Sequence, residues 1–215
     1  VDAAGENSIV VAAGANANLL PEDMEEALNE IAAAGILLMQ LEIPMKTVHF
    51  VAKYAASKGV KVILNPAPMN VLTPELLSCV DILTPNKTEA EMLSGVKVDN
   101  TESAKEAARV ISEMGVKNVV ITLGASGAVV YGDGETQVIS APKVNAQDTT
   151  AAGDVFNGGL AVALSDGKTL AEAVKFAGTA ASISVTRMGA QSSIPYRSEL
   201  IASGIMKEDL NQKDS

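Results

Sequence analysis

The chain has 215 residues, of which 47% are hydrophobic and 20% are charged. A chain of this length and composition can bury a full core, which excludes intrinsic disorder and a disulfide-dense scaffold. Its 26 acidic and 16 basic residues give a net charge of −10, which argues against nucleic acid or an anionic membrane as a partner. The one cysteine, Cys79, allows no internal disulfide, so we expect a cytoplasmic protein.

The first half of the chain alternates short aliphatic runs with amphipathic segments. The aliphatic runs predict strands over residues 8–13, 36–41, 60–64, 81–83 and 118–123. These runs lack polar alternation, which is typical of a parallel sheet covered on both faces. Between them, helices are predicted from Pro21 onward, with an apolar stripe through Met24, Leu28 and Ile31, and over residues 44–57 and 102–114.

The second half of the chain begins with a predicted hairpin. Residues 127–131 and 136–140 form its strands, and Gly132, Asp133 and Gly134 form a turn that tolerates positive φ. Helices are predicted over residues 152–164, 169–186 and 197–202. The order predicts an α/β fold with a mostly parallel, doubly wound sheet and an antiparallel edge hairpin. We expect one domain over residues 1–205 and a polar tail over 206–215.

The most informative motif is residues 148–154, with the sequence DTTAAGD. The small residues Ala151, Ala152 and Gly153 let the backbone approach a ligand closely, and the helix that they open directs free N–H groups outward. Such a helix start binds anions without a lysine. Asp154 lies in the first turn, where it could accept a proton from a hydroxyl that attacks a bound phosphate. A simpler alternative is that Asp148 or Thr150 caps the helix and Asp154 complements its dipole.

This motif and the residues after it, VFNGG, resemble the C-terminal signature of the ribokinase-like (PfkB) sugar kinases. Five other segments match the same family in order: residues 14–18 (GANAN), 65–68 (NPAP), 84–89 (TPNKTE), 122–127 (TLGASG) and 186–191 (TRMGAQ). The resemblance implies a three-layer αβα fold. Family members begin with sugar-binding strands and a β lid that do not occur here, so we expect the chain to be a C-terminal portion that is inactive alone.

The resemblance also implies roles for individual residues. Asp154 is similar to the catalytic base, with Ala151, Ala152 and Gly153 as the anion hole, and Glu42 is similar to a sugar-binding carboxylate. The expected nucleotide-binding residues are Asn86, Thr122, Leu123, Gly124, Ala125, Ser126, Gly127, Gly153, Asp154 and Gly178. Asn86 could equally be a helix N-cap, and residues 122–127 an ordinary turn into the hairpin. Gly178 is a departure, since the family often carries Asn there.

Two metal ions are implied by the same resemblance. Glu89 is expected to organise Mg²⁺ through water. The residues expected to hold a monovalent cation, K⁺, are Asp148, Thr150, Ser184, Arg187, Gly189 and Ser193. Arg187 could offer such an ion only its carbonyl oxygen. The alternative needs no ion, because Asp148 could cap a helix or pair with Arg187.

The function that the resemblance implies is transfer of the γ-phosphoryl group of ATP to the primary 5-hydroxyl of D-ribose. Two alternatives stay open: a kinase of another sugar or nucleoside, and a catalytically silent member that only binds ligand. The expected partners are the sugar and ATP. The full-length protein is expected to form a homodimer through the lid.

Overall fold

The computed structural model describes residues 13–203, and it places six strands in one sheet. The strands are β1 (Ile36–Met39), β2 (Lys61–Leu64), β3 (Ile82–Leu83), β4 (Asn118–Thr122), β5 (Ala128–Gly132) and β6 (Glu135–Ile139). They lie in chain order, parallel from β1 to β4 and antiparallel from β4 to β6. The mostly parallel sheet and its edge hairpin are therefore confirmed, whereas nearly all of the strand predicted over 8–13 and the tail over 206–215 lie outside the described residues.

Eight α-helices connect and cover these strands within residues 13–203. They are α1 (Leu28–Ala33), α2 (Met45–Ser57), α3 (Pro74–Leu77), α4 (Lys87–Ser94), α5 (Thr101–Glu113), α6 (Ala152–Ser165), α7 (Leu170–Ser184) and α8 (Arg197–Ala202). In the same part of the chain, no helix is both long enough and apolar enough to cross a bilayer. The helix predicted from Pro21 begins as a 3₁₀ helix, Pro21–Ala27, and becomes α-helical only at Leu28.

The core has two halves, one on each face of the sheet. On one face, Val62, Leu64 and Leu83 pack against the crossover helices α2 to α5. On the other face, Ile63 and Ile82 pack against α6 and α7. Because successive strand residues point to opposite faces, both sides of the same strands are apolar and buried. This confirms the three-layer αβα architecture.

The carboxyl ends of the four parallel strands meet at one edge of the sheet. Gln40 follows β1, Asn65 follows β2, Thr84 follows β3 and Thr122 ends β4. Open α/β sheets bind their ligands outside this edge. The start of α6 is held at the same edge by two side-chain hydrogen bonds, from Gln40 to Asp154 and from Thr84 to Asn157.

Candidate active site

The start of α6 has the geometry of an anion site. Ala151 adopts a left-handed conformation with φ of 59°, an uncommon strain for a residue with a Cβ, and the helix begins at Ala152. The N–H of Ala152 donates to Thr149 O at 3.2 Å and that of Val155 to Ala151 O at 2.9 Å. Within residues 13–203, the N–H groups of Gly153 and Asp154 between them have no acceptor. These donors lie at the positive end of the helix dipole, where they can bind a phosphate.

Asp154 lies in the first turn of α6 with its side chain exposed to solvent. Its Oδ1 accepts a hydrogen bond from Gln40 Nε2 at 3.0 Å. Asp154 borders a cavity of about 250 Å³ together with Gln40, Asn65 and Asn157. It also borders a larger cavity of about 520 Å³ between α6, α7 and the segment before α8. The carboxylate is therefore accessible from two sides and directly beside the unpaired N–H groups.

A buried polar link fixes α6 against the end of β3. Thr84 Oγ1 donates to Asn157 Oδ1 at 2.7 Å, and Asn157 Nδ2 donates to Gly153 O at 2.9 Å. Thr84 and Asn157 are only 2% and 5% exposed, so these bonds satisfy groups that water cannot reach. The link holds the turn that carries Gly153 and Asp154 in register with the edge of the sheet.

Asn86 caps α4 and also lies beside the end of β4. Asn86 Oδ1 accepts from Glu89 N at 2.9 Å, and Glu89 Oε2 accepts from Asn86 N at 2.7 Å, which is a reciprocal capping box. Burial raises the pKa of the Glu89 carboxyl, and the hydrogen bond from Asn86 opposes that shift. Asn86 also forms an isolated parallel bridge with Thr122. The predicted N-cap role of Asn86 is confirmed, and the bridge brings residues 84–89 next to residues 122–127.

Residues 122–127 form a compact turn between β4 and β5. Leu123 N donates to Gly127 O at 2.8 Å, and residues Gly124–Ser126 form one turn of 3₁₀ helix. Gly124 and Gly127 are glycine for different structural reasons. A Cβ on Gly127 would lie 2.0 Å from Ile139 O, so this glycine is required by the approach of β6. Gly124 has a φ of 56° and open space around its Cα, which leaves its backbone accessible to a ligand.

Asp148 joins the loop before α6 to the segment after α7. Its Oδ1 accepts from Thr150 N at 2.9 Å and its Oδ2 from Gly189 N at 2.8 Å. Hydrogen bonds from Thr150 and Gly189 lower the pKa of this carboxyl. Ser184 and Ser193, from the same expected cation set, are buried, and their hydroxyls donate to Ala181 O and Ala190 O. Among residues 13–203, no group of three or more His, Cys, Asp or Glu side chains could hold a metal ion.

The alternative pairing of Asp148 with Arg187 is wrong. The guanidinium of Arg187 forms an ion pair with Glu199 of α8, through hydrogen bonds to both carboxylate oxygens. This pairing lowers the pKa of the Glu199 carboxyl and raises that of Arg187. The side chain of Arg187 is thereby engaged with α8, while the carboxylate of Asp148 accepts from Thr150 N and Gly189 N.

Two expected site residues stand apart from these contacts. Glu42 is exposed, and within residues 13–203 it makes no hydrogen bond or ion pair. Its carboxylate is therefore solvated, and it does not line the cavity of about 250 Å³ beside Asp154. Gly178 lies in the middle of α7, and no atom lies within 4 Å of the position that a Cβ would take there.

Sequence reasoning missed Gln40 and Asn157 as site residues. The strand predicted over 36–41 included Gln40, although β1 ends one residue earlier, at Met39. A polar residue at the end of an otherwise aliphatic run was the available signal. Asn157 was seen only as part of the family signature, and nothing in its spacing indicated that it would bond to Thr84.

Comparisons with known proteins place the chain in a family. The model of the pfkB family of carbohydrate kinases matches residues 1–197. The chain is 50% identical over 196 residues to the ribokinase of Haemophilus influenzae, covering 91% of this chain and 64% of that protein. It is 35% identical over 196 residues to the deoxyribokinase of Salmonella typhi, with the same two coverages of 91% and 64%.

A solved structure gives the corresponding likeness in three dimensions. The Arabidopsis thaliana ribokinase complexed with ribose and ATP aligns with a TM-score of 0.86 at 38% identity, over 92% of this chain and 65% of that one. The chain thus spans just under two thirds of the length of these three relatives. Both the family match over residues 1–197 and the shared αβα architecture lead to one assignment. The chain belongs to the pfkB family of carbohydrate kinases.

Proposed function

We propose that the full-length protein phosphorylates D-ribose at its 5-hydroxyl with ATP as the phosphoryl donor. The observation that carries the proposal is the accessible carboxylate of Asp154, which lies one residue from the unpaired N–H of Gly153 at the start of α6. The names of the similar proteins support the substrate, because the relative at 50% identity is a ribokinase. The similar structure that contains ribose and ATP supports both ligands.

The geometry supports a direct displacement at the γ-phosphorus. Asp154 would take the proton of the attacking hydroxyl, with Oδ1 held by Gln40 and Oδ2 left to accept it. The N–H groups of Gly153 and Asp154 would stabilise the charge that develops on the phosphoryl oxygens. Electrostatic stabilisation by such fixed donors is commonly the largest single contribution to catalysis. Asn86 and residues 122–127, which adjoin each other at the next strand ends, would bind the nucleotide.

We also propose Mg²⁺ and K⁺ as cofactors, on the chemistry of the residues present. Bound Mg²⁺ would neutralise phosphate charge. Glu89 Oε1, which is not used in the capping box, could accept a hydrogen bond from a water ligand of that ion. K⁺ prefers hard oxygen ligands, and the segments around Asp148 and Gly189 supply a carboxylate and several carbonyls. Because Arg187 bonds to Glu199, its positive charge is directed away from Asp148, which favours a cation there.

Assays of the full-length protein on D-ribose, 2-deoxy-D-ribose and a nucleoside panel test the proposal. We expect ATP-dependent phosphorylation with the highest kcat/KM on D-ribose, and a ³¹P NMR signal that places the phosphate on the primary carbon. The Salmonella relative favours deoxyribose as the second candidate, and a preference for that sugar would replace ribose in the proposal. ATP binding without turnover on any acceptor would instead identify a silent ligand-binding member.

Two properties of the full-length protein follow from the family resemblance and stay proposals. One is a homodimer formed through the lid, which light scattering on the purified full-length protein would test. The other is a location in the cytoplasm, which agrees with a chain that contains a single cysteine. Fractionation of cells that express the tagged protein would test the location.

A further inference from the structure

Two amide side chains lie side by side under the catalytic turn. Strand β1 pairs with β2 in a register that sets Met39 opposite Leu64, so the next residues, Gln40 and Asn65, are neighbours at the edge of the sheet. The N–H of Asn65 donates to Met39 O at 2.9 Å, which extends the ladder by one bond. Gln40 and Asn65 both line the cavity of about 250 Å³ that Asp154 borders.

Gln40 makes the one side-chain hydrogen bond that Asp154 has with residues 13–203. Its Nε2 donates to Asp154 Oδ1 at 3.0 Å, across 114 residues of sequence. The bond joins the edge of the sheet to the first turn of α6, and it restrains the rotation of a carboxylate that is otherwise exposed to solvent. With Oδ1 engaged, Oδ2 is the oxygen that remains available to a reacting proton.

Restraint of this kind matters for a general base. Proton transfer needs the acceptor oxygen within hydrogen-bond reach of the hydroxyl, and small displacements of reacting groups cost large factors in rate. Gln40 can supply the restraint at low cost, because it directly follows β1, lies between two backbone hydrogen bonds (Asn65 N to Met39 O and Leu41 N to Ala67 O), and has a half-buried side chain. A neutral amide also orients the carboxylate without a positive charge, which in a lysine or arginine would make the carboxylate a weaker proton acceptor.

We propose that Gln40 is a positioning residue, which orients the carboxylate of Asp154 so that Oδ2 faces the acceptor hydroxyl. This role rests on the proposed function, because it presupposes that Asp154 acts as the base. It assigns no contact between Gln40 and the substrate. Its effect therefore falls on kcat and leaves the affinity for ATP unchanged.

The kinetic test replaces Gln40 by the isosteric but apolar Met in the full-length protein. We expect kcat to fall on the order of 10- to 100-fold while KM for ATP stays within about twofold, since positioning is lost and nucleotide contacts are not. Gln137→Met on the exposed strand β6 is the matched control and should behave as wild type. In an Asp154→Ala background, Gln40→Met should lower the residual rate no further. An unchanged kcat in Gln40→Met, or full additivity with Asp154→Ala, would overturn the role.

A second measurement reports the contact without any turnover. The side-chain amide resonance of Gln40, identified by its loss in Gln40→Met, should shift in the ¹H–¹⁵N spectrum of the Asp154→Ala protein. A resonance that does not move would overturn the contact and with it the role. Absence of turnover in the wild-type full-length protein would overturn the proposed function. A shifted Gln40 resonance in that case would show that the contact with Asp154 exists even though the proposed function is wrong.

Discussion

Asp154 is the residue on which the proposed chemistry depends most directly. Asp154→Asn keeps the size of the side chain and removes the oxygen that would accept the proton, so kcat of the full-length protein should fall on the order of 10²- to 10⁴-fold. Affinity for ATP, measured by titration calorimetry, should change little. The matched control is Asp133→Asn in the hairpin turn, where the exposed residue has a φ of 52° that Asn also tolerates. Near wild-type turnover in Asp154→Asn would remove Asp154 from the mechanism.

Asp148 carries the proposed monovalent-cation site. A bound K⁺ would fix the turn from Ala151 to Gly153, so replacing K⁺ by Li⁺ should lower kcat of the full-length protein. In Asp148→Ala the rates in the two ions should become equal, because the carboxylate that distinguishes them is gone. Asp99→Ala is the control: it removes an exposed carboxylate that pairs with Lys97, outside the expected cation set, and should leave the ratio of the two rates unchanged. Equal wild-type rates in K⁺ and Li⁺ would rule out an activating site.

Individual residues show how far sequence alone can locate this site. Asp154 was singled out by the small residues before it and Asn86 by the family resemblance, and the structure places both at helix starts. Gln40 and Asn157 were not found, since their partners, Asp154 and Thr84, are 114 and 73 residues away. Local spacing carries no information about such contacts. The partner of Arg187 was also missed, since Glu199 lies 12 residues further along the chain and only the fold shows that α8 brings it to Arg187.

At the scale of elements, the hydroxyl of Thr84 provides the side-chain hydrogen bond between the end of β3 and Asn157 of α6. Thr84→Val should lower the free energy of unfolding by about 1–3 kcal/mol, because Asn157 Oδ1 loses its donor in a site that water does not reach. Thr179→Val is the matched control. Thr179 is also buried, but its hydroxyl donates to Lys175 O within its own helix and joins no two elements. Urea unfolding of both variants measures the difference, and equal costs would contradict the linking role of Thr84.

The packing of α6 and α7 gives a second comparison at this scale. Gly178 lies inside α7 with a negative φ, and no atom lies within 4 Å of the position that a Cβ would take, so Gly178→Ala should stabilise the chain by about 0.5–1 kcal/mol. Gly159 in α6 is its counterpart. A Cβ there would lie 3.2 Å from Ala177 Cα, so Gly159→Ala should gain less or lose stability. Thermal unfolding of the two variants measures the difference, and equal shifts in Tm would contradict it.

The elements themselves were largely predictable, and their ends were not. The aliphatic runs predicted the four parallel strands and the hairpin pattern predicted β5 and β6, yet the predicted strand over 36–41 extended two residues beyond Met39. Hydrophobicity continues through Leu41 because Leu41 packs into the core below the edge, although it belongs to no ladder. The start at Pro21 was predicted, but the 3₁₀ geometry of Pro21–Ala27 was not, because apolar spacing does not distinguish the two helix types over a segment of seven residues.

For the whole molecule, the alternation of strands and helices was enough to predict three layers. Aliphatic strands without polar alternation required cover on both faces, and α2 to α5 and α6 to α7 supply it. The hairpin was predictable from Gly132, Asp133 and Gly134, of which Asp133 and Gly134 have positive φ. What the pattern did not indicate is how α6 sits on the edge of the sheet, because that depends on the contacts of Gln40 and Thr84.

The division of the site across the molecule leads to a prediction about this chain by itself. The proposed nucleotide-binding elements, namely Asn86, residues 122–127 and the start of α6, all lie within residues 13–203. On the acceptor side, Asp154 is flanked by the open cavity of about 250 Å³, and Glu42 is exposed. The chain also spans only 64% of the similar ribokinase. We therefore expect the 215-residue chain to bind ATP weakly and to hold ribose poorly.

Calorimetric titration with ATP and a coupled ADP assay with ribose measure the two halves of this prediction. ATP binding should be detectable, and should persist in the Asp154→Asn chain, because that substitution leaves the N–H groups at the start of α6 in place. Turnover of the chain should lie on the order of 10³-fold or more below that of the full-length protein, since an acceptor that is not held gains no benefit from a positioned base. Robust turnover by the chain alone would contradict the prediction, because it would show that this chain already suffices to hold the sugar.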